Sequence, residues 1–299
     1  MNEAPALQTT SLGKRYGSAW ALHDCDLSIP PGSVTALVGP NGAGKTTLLQ
    51  LAVGLIAPTT GTIAVLGHDP RTDPLDVLPR VGFVAQDHPL PRRFTIGETL
   101  RLGRELNPSW DGAVAERRIE QLGLRRRQRV GTLSGGQQAQ VALTLALAKR
   151  PQVLLLDEPV ASLDPLARRE FLSGVLEAVT ETGITVVLSS HIVADLERVC
   201  DHLIILAAGR TQLVGPIEDI LASHRLLTGP RADAAGVARV HQVIRESHTE
   251  RQTTLLVRAN GHVYDAEWEL HEVDLEEIVL AYLGQSAGTP VERAAAAAR

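Results

Sequence analysis

A loop of nine residues constrains this chain more than any other feature. Gly39-Pro40-Asn41-Gly42-Ala43-Gly44-Lys45-Thr46-Thr47 fits the spacing G-x-x-x-x-G-K-[ST]. Ahead of it Val34-Thr35-Ala36-Leu37-Val38 reads as a buried strand, and behind it Leu48, Leu49, Leu51, Ala52 and Leu55 form a helical apolar stripe. The glycines let the backbone curl until several N–H groups face one concavity. The following helix adds partial positive charge at its N-terminus, so the loop is built to hold polyphosphate. Lys45 is expected to reach the β- and γ-phosphates, the Thr46 hydroxyl to ligate Mg²⁺, and Thr47 to support the α-phosphate side.

A second constellation follows from the run Val153-Leu154-Leu155-Leu156-Asp157-Glu158. Four apolar residues bury a strand and deliver two carboxylates at its C-terminal end, the ligand-binding edge of an open α/β sheet. Asp157 suits the shell of a Mg²⁺ ion, and Glu158 suits polarising an attacking water. An acidic strand exit alone would leave this reading even with an ordinary loop; the phosphate-binding loop upstream decides for chemistry.

Between and around these motifs the chain changes texture. Residues 7–10, 21–29, 34–38, 62–66 and 81–85 read as strands, with Pro30-Pro31-Gly32 as a turn. From about 87 to 150 amphipathic helical patterns replace them, at 96–106, 113–122 and from Gly135 through Lys149. Strands at 153–157, 184–190 and 203–207 then alternate with helices at 165–181 and 192–200, the pattern of a parallel sheet covered on both faces. Beyond about 225 an Asn260-Gly261 turn between 253–258 and 262–270 suggests a hairpin. Residues 274–283 suggest a helix capped by Asp274 and closed by Gly284, and residues 285–299 a disordered tail.

Leu133-Ser134-Gly135-Gly136-Gln137, in order after the loop and before the acidic strand, resembles the signature of ATP-binding cassette ATPases. The chain is therefore similar, over residues from about 7 to 222, to the nucleotide-binding subunit of an ABC transporter. The resemblance implies a P-loop α/β cassette, with a parallel sheet core and antiparallel β and helical subdomains, over 1–225. A small α+β extension would cover 226–284. It implies ATP and Mg²⁺, and two subunits that sandwich two nucleotides, each between one protomer's phosphate loop and the other's Ser134-Gly135-Gly136-Gln137. It further implies that Tyr16 stacks on adenine and that Gln86 is the switch glutamine that senses Mg²⁺ and water. Asp164 matches the loop crossing the dimer interface, and equally a helix cap before Pro165. His191 resembles the switch histidine that touches the γ-phosphate. The family commonly carries basic residues just after its signature; Gln138-Ala139-Gln140 are neutral here, which lowers the positive charge near the site.

Composition limits the partners. The net charge of −5 argues against bulk nucleic-acid binding, and the run Arg125-Arg126-Arg127-Gln128-Arg129 reads as a solvated face. No apolar run reaches the ~18 residues needed to cross a bilayer, so the expected place is peripheral, on the cytoplasmic face of the membrane beside transmembrane permease subunits. Cys25 and Cys200 form no spacing motif, and the remaining histidines show no metal-ligand spacing. Because Lys45, Asp157, Glu158 and His191 are all present, an active subunit is expected, as a homodimer more readily than a heterodimer. Two alternatives stand beside transport: a soluble cassette acting on ribosomes or DNA, and an ATP-driven clamp in a non-transport assembly. Asp274-Leu275-Glu276-Glu277-Ile278 and Asn107-Pro108-Ser109-Trp110-Asp111 resemble the drug, lipid or antibiotic exporter branch, by analogy alone.

Overall fold

The computed structural model describes residues 4–193, 196–230, 234–249, 252–259 and 268–288. The chain folds as two compact units, Met1–Thr211 and Gln212–Arg299.

The first unit begins with β1 (Leu7–Tyr16) and β2 (Ala19–Ile29), paired antiparallel, and β4 (Thr60–Val65) completes this small sheet in the order β2-β1-β4. The larger sheet is made by β3 (Val34–Val38), β5 (Val81–Val84), β6 (Val153–Leu156), β7 (Thr185–Ser190), β8 (His202–Ala207) and β9 (Arg210–Pro216), in the order β5-β6-β7-β3-β8-β9. Strands β5, β6, β7, β3 and β8 are parallel. Every residue of β3, β6 and β7 is buried, which is why they read as mostly apolar runs rather than as alternation. The helix α1 (Lys45–Ala52) lies in the main core. Its Leu48, Leu49 and Leu51 pack with Leu12 and Leu22 of the antiparallel sheet and with Leu155, Val187 and Ile204 of the parallel one. Leu55, expected on the same stripe, lies past the helix end and is exposed.

Between β4 and β6 a short α2 (Pro74–Val77) precedes β5 and a helical segment follows it. That segment comprises α3 (Ile96–Leu106), α4 (Gly112–Gln121) and α5 (Gly135–Ala148). Its helices start on side-chain caps. Thr95 and Glu98 form a reciprocal box at α3, and Asp111 accepts from the N–H groups of Ala113 and Val114 at α4. Ile96, Leu100, Ala115, Ile119, Leu133 and Val141 close a separate small core. After β6, α6 (Pro165–Thr182) starts on Asp164 with Pro165 at its first position and stops at Gly183, which takes a left-handed φ of 65°.

One expectation is not met: none of the described residues of 192–200 is helical. Val193 is a bend and 196–199 are turn, with the Leu196 and Cys200 N–H groups bonded to the carbonyls of Val193 and Leu196. Both Cys25 and Cys200 are free and buried.

In the second unit α7 (Ile217–Ser223) precedes a four-stranded antiparallel sheet, ordered β11-β12-β10-β13. Its strands are β10 (His224–Pro230), β11 (Gln242–His248), β12 (Gln252–Arg258) and β13 (Glu269–His271), with α8 (Ala234–Val240) between β10 and β11. Leu227, Val237, Leu255, Val257 and Trp268 form its core. Gly229 is required there, because a Cβ would sit 2.4 Å from the Trp268 ring. The unit ends in α9 (Leu275–Gly288), where Asp274 Oδ1 accepts from the Glu277 N–H at 2.7 Å. The helix passes through Gly284 rather than closing on it, so residues 285–288 are helical and not part of a disordered tail. The Asn260-Gly261 turn and the rest of the tail lie outside the described residues.

Candidate functional site

The site forms where β3 and β6 release the chain at the same edge of the parallel sheet. At the end of β3 the chain turns into the nine-residue loop. Gly39 presses on β8: a Cβ there would lie 2.1 Å from the Leu206 carbonyl oxygen. Gly42 and Gly44 take φ of 81° and 106°, conformations that suit glycine. At Gly44 a Cβ would also meet the Ala21 carbonyl at 2.5 Å. Gly44 caps α1 without any side-chain hydrogen bond. Among the described residues, the backbone N–H groups of Lys45, Thr46 and Thr47 have no partner, the first bond of the helix running from Leu48 N–H to Gly44. Asn41 and Thr46 are exposed, whereas Ala43 and Lys45 are buried.

The Lys45 ammonium folds over the loop. It donates to the Gly39 carbonyl at 2.7 Å and to Pro40 at 3.2 Å, and pairs with Glu158 Oε1 at 3.0 Å. The Thr46 hydroxyl donates to Asp157 Oδ1 at 3.2 Å. The motifs that sequence set 111 residues apart are thus joined twice, once through each carboxylate. Glu158 itself takes a left-handed φ of 43°, rare for a residue with a Cβ. Its second oxygen, Oε2, lies 3.1 Å from His191 Nδ1 just past β7.

Ser189 is a site residue that sequence reasoning missed. It is fully buried, its hydroxyl donates to Asp157 Oδ1 at 3.0 Å, and it accepts from the Glu158 N–H at 2.8 Å. The available signal was two serines, Ser189-Ser190, ending an otherwise apolar strand at the ligand edge. Burial raises the Asp157 carboxyl above its ordinary range, and the bonds from Thr46 and Ser189 offset this only in part. Burial pushes Glu158 up as well, but the Lys45 ammonium and then His191 outweigh it and hold the carboxyl below its ordinary range.

Gln86 and Tyr16 do not join the network. Gln86 is exposed in the turn after β5, two residues beyond Val84, whose carbonyl accepts from Asp157 N–H at 2.9 Å. Among the described residues it makes no hydrogen bond of its own. Tyr16 is 49 % exposed, with Lys14 Nζ 5.2 Å from its ring centroid, and keeps an open face.

The signature stands apart. Ser134 Oγ accepts from Gln137 N–H at 3.2 Å, and Gln137 Oε1 accepts from Ser134 N–H at 3.0 Å, a capping box that starts α5. Gly135 and Gly136 N–H groups remain without partners among the described residues. Asp164 Oδ1 accepts from Leu166 and Ala167 N–H, both at 3.0 Å, and so acts as a cap. A Cβ on Gly136 would lie 2.8 Å from that of Ala167, which places the tips of α5 and α6 side by side. No hydrogen bond or ion pair among the described residues joins Ser134, Gln137 or Asp164 to Lys45, Thr46, Asp157 or Glu158.

Residues 22–161 match the family model described as ABC transporter. The chain is 34% identical over 224 residues to a sulfate/thiosulfate import ATP-binding protein of Synechococcus elongatus, covering 73% of this chain and 65% of that protein. It is 37% identical to a phosphonates import ATP-binding protein of Thiobacillus denitrificans, covering 73% of this chain and 90% of that one. The chain thus spans somewhat less than two thirds of the first relative's length and most of the second's. Among solved structures, it is similar to a dimeric ATP-binding cassette in a post-hydrolysis state with ADP and phosphate bound. That likeness has a TM-score of 0.63 and 26% identity, covering 71% of this chain and 98% of that one.

Proposed function

The chain belongs to the ATP-binding proteins of ABC transporters, and from that premise we propose that it hydrolyses ATP to power transport through separate membrane subunits. The observation that carries this reading is Glu158. Its carboxylate is held between Lys45 at 3.0 Å and His191 at 3.1 Å, one residue past the Thr46–Asp157 pair. The site fits its ligands. Three unbonded N–H groups and a buried ammonium suit a polyphosphate. The Thr46 hydroxyl and Asp157 carboxylate are the hard oxygen donors that suit Mg²⁺, with exposed Gln86 on the same sheet edge. Bound there, Mg²⁺ would neutralise charge on the phosphates.

The residues of the chain do the rest. Gly39 through Thr47 bind phosphate, and Tyr16 offers its open face to the base. Lys45 exchanges its contact with Glu158 for phosphate, which frees Oε1. Glu158 takes a proton from water at one carboxylate oxygen while His191 Nδ1 holds the other. Ser134, Gly135, Gly136, Gln137 and Asp164 face the nucleotide of a second cassette. Their exposure and their separation from the chain's own loop support this arrangement, and the presence of every catalytic group in one chain supports a homodimer. Among the described residues no helix is long and apolar enough to cross a membrane; the peripheral place proposed for the chain, on the cytoplasmic face, rests on its family.

Direction is the finer point. The two relatives named are importers, so export rests on the resemblance of residues 107–111 and 274–278 alone; uptake against efflux in inverted vesicles holding the membrane subunits decides it. For hydrolysis itself, Glu158→Gln should lower ATP turnover by about 10²–10⁴-fold while an ATP-bound dimer persists. Turnover near the wild-type rate would overturn the assignment.

A further inference from the structure

Arg118 is a buried cation outside the phosphate site, and no step above uses it. It lies in the last turn of α4 and is only 9 % exposed. Its guanidinium reaches between two other helices. Nη2 donates to Gln140 Oε1 on α5 at 3.4 Å, and Nη1 lies 3.9 Å from Glu177 Oε2 on α6. The guanidinium lies against Gly174 of α6, where a Cβ would come within 2.8 Å of Nη2. Nε has no partner. Cavities of about 300 and 570 Å³, both lined by Arg118 and Glu177, flank the contact.

This is a costly arrangement for stability alone. Burial of a guanidinium opposes its charge, and Glu177 and Glu181 only partly compensate. A side chain kept under that cost, where it touches both α5 and α6, sets a geometry. The two helices it ties are those whose N-terminal tips touch at Gly136 and Ala167 and start on Ser134 and Asp164. Its anchor on α5, Gln140, lies less than two turns behind the capping box.

We propose that Arg118 is a positioning residue that fixes α5 against α6, and so sets the spacing of the Ser134–Gly136 tip from the Asp164 loop that a second cassette would meet. The proposal rests on the dimer reading above and goes beyond it by naming the residue that holds the tip in register.

The test uses the full chain carrying Glu158→Gln, with ATP-dependent dimerisation measured by sedimentation, nucleotide affinity by titration of the dilute monomer, and melting by calorimetry. Arg118→Met fills the same space with an apolar chain and should melt no lower than its parent, since apolar replacement of buried ions is often neutral or stabilising. Its monomer should bind nucleotide within about twofold of the parent, as distant sites are near-additive. Its dimerisation should weaken by about tenfold. Arg118→Gln combined with Gln140→Arg returns the charge to the same junction from the other helix and should recover most of the loss. If Arg118→Met dimerises as tightly as its parent, or the exchanged pair recovers nothing, the proposal falls. If Arg118→Met melts without cooperativity, the exchanged pair decides by the same criterion. A Glu158→Gln parent that stays monomeric with ATP overturns the dimer reading, and this inference with it.

Discussion

The chain offers two helix N-termini to anions, and it builds them in opposite ways. At α1 the cap is Gly44, which has no side chain to satisfy the first N–H groups. Those donors are left for a ligand, and a buried lysine paired with Glu158 stands over them. At α5 the cap is Ser134, which with Gln137 consumes one donor at each end of a reciprocal box. Only the two glycine N–H groups remain, on an exposed tip with no charged side chain among Gln137, Gln138 and Gln140. The first terminus gathers its N–H groups, the Lys45 ammonium and both carboxylates within one chain. The second has little more than a dipole and two amides, and in the proposed reading it meets a phosphate that another cassette already holds.

The largest effect that separates them is on nucleotide binding by the monomer. Lys45→Ala removes the only cation at the phosphate loop among the described residues and leaves Glu158 with His191 alone. A lost charge-assisted bond of about 1.5–3 kcal/mol means a fall in monomer affinity of one to two decades, measured by calorimetric titration. Ser134→Ala should leave that affinity unchanged. A drop at Ser134 equal to that at Lys45 would mean both termini serve the same bound nucleotide within one chain, and the contrast would break.

A smaller effect belongs to the second terminus. Ser134→Ala removes the acceptor of the Gln137 N–H and should cost about 1 kcal/mol of stability by cap loss, read as a lower denaturant midpoint. It should also slow ATP turnover at dimer-forming concentrations. If turnover survives intact, the tip is only a helix start.

How much of this contrast could be read from sequence follows the same division. The phosphate loop was legible because its chemistry is local: glycine at fixed offsets, a strand before and a helix after. β3 appears at the residues expected, 34–38, and the expected starts of α3 and α6, at 96 and 165, also match, since apolar periodicity and caps are local as well. The acidic pair after β6 was legible as an edge, but not its partners. Ser189 reaches Asp157 only because β7 lies beside β6, a neighbour relation that spacing does not encode. Arg118 was hidden for the same reason: in sequence it is one more arginine on an amphipathic helix, and only the packing of α5 and α6 around it makes it a buried contact. The segment 192–200 misled through its apolar pattern: Val193, Leu196 and Cys200 are buried, yet none of its described residues is helical. In the second unit, α9 ran past Gly284 because a helical glycine costs only about 1 kcal/mol against alanine, too little to end a helix whose face is packed at Ile278, Val279, Ala281 and Tyr282.

The smallest effect sharpens the contrast through pH. Glu158 is held below its ordinary carboxylate value of 4.5 in the folded chain. A depressed folded value means that its ionised form stabilises the fold, fully above the unfolded value and progressively less as pH falls through the folded one. The stability gap between wild type and Glu158→Gln should therefore be constant from pH 7 to about 5 and shrink below about 4.5, in denaturant titrations at each pH. Asp157 acts with the opposite sign, since burial raises it above 3.8. Its ionised form is unfavourable in the fold, so Asp157→Asn should help at neutral pH and lose that advantage in the same acid range. Ser134→Ala involves no titrating group, so its cost should stay flat across the whole range. A gap for Ser134→Ala that follows pH as Glu158→Gln does would tie the exposed tip electrostatically to the phosphate corner of its own chain, and two separate half-sites would be the wrong description.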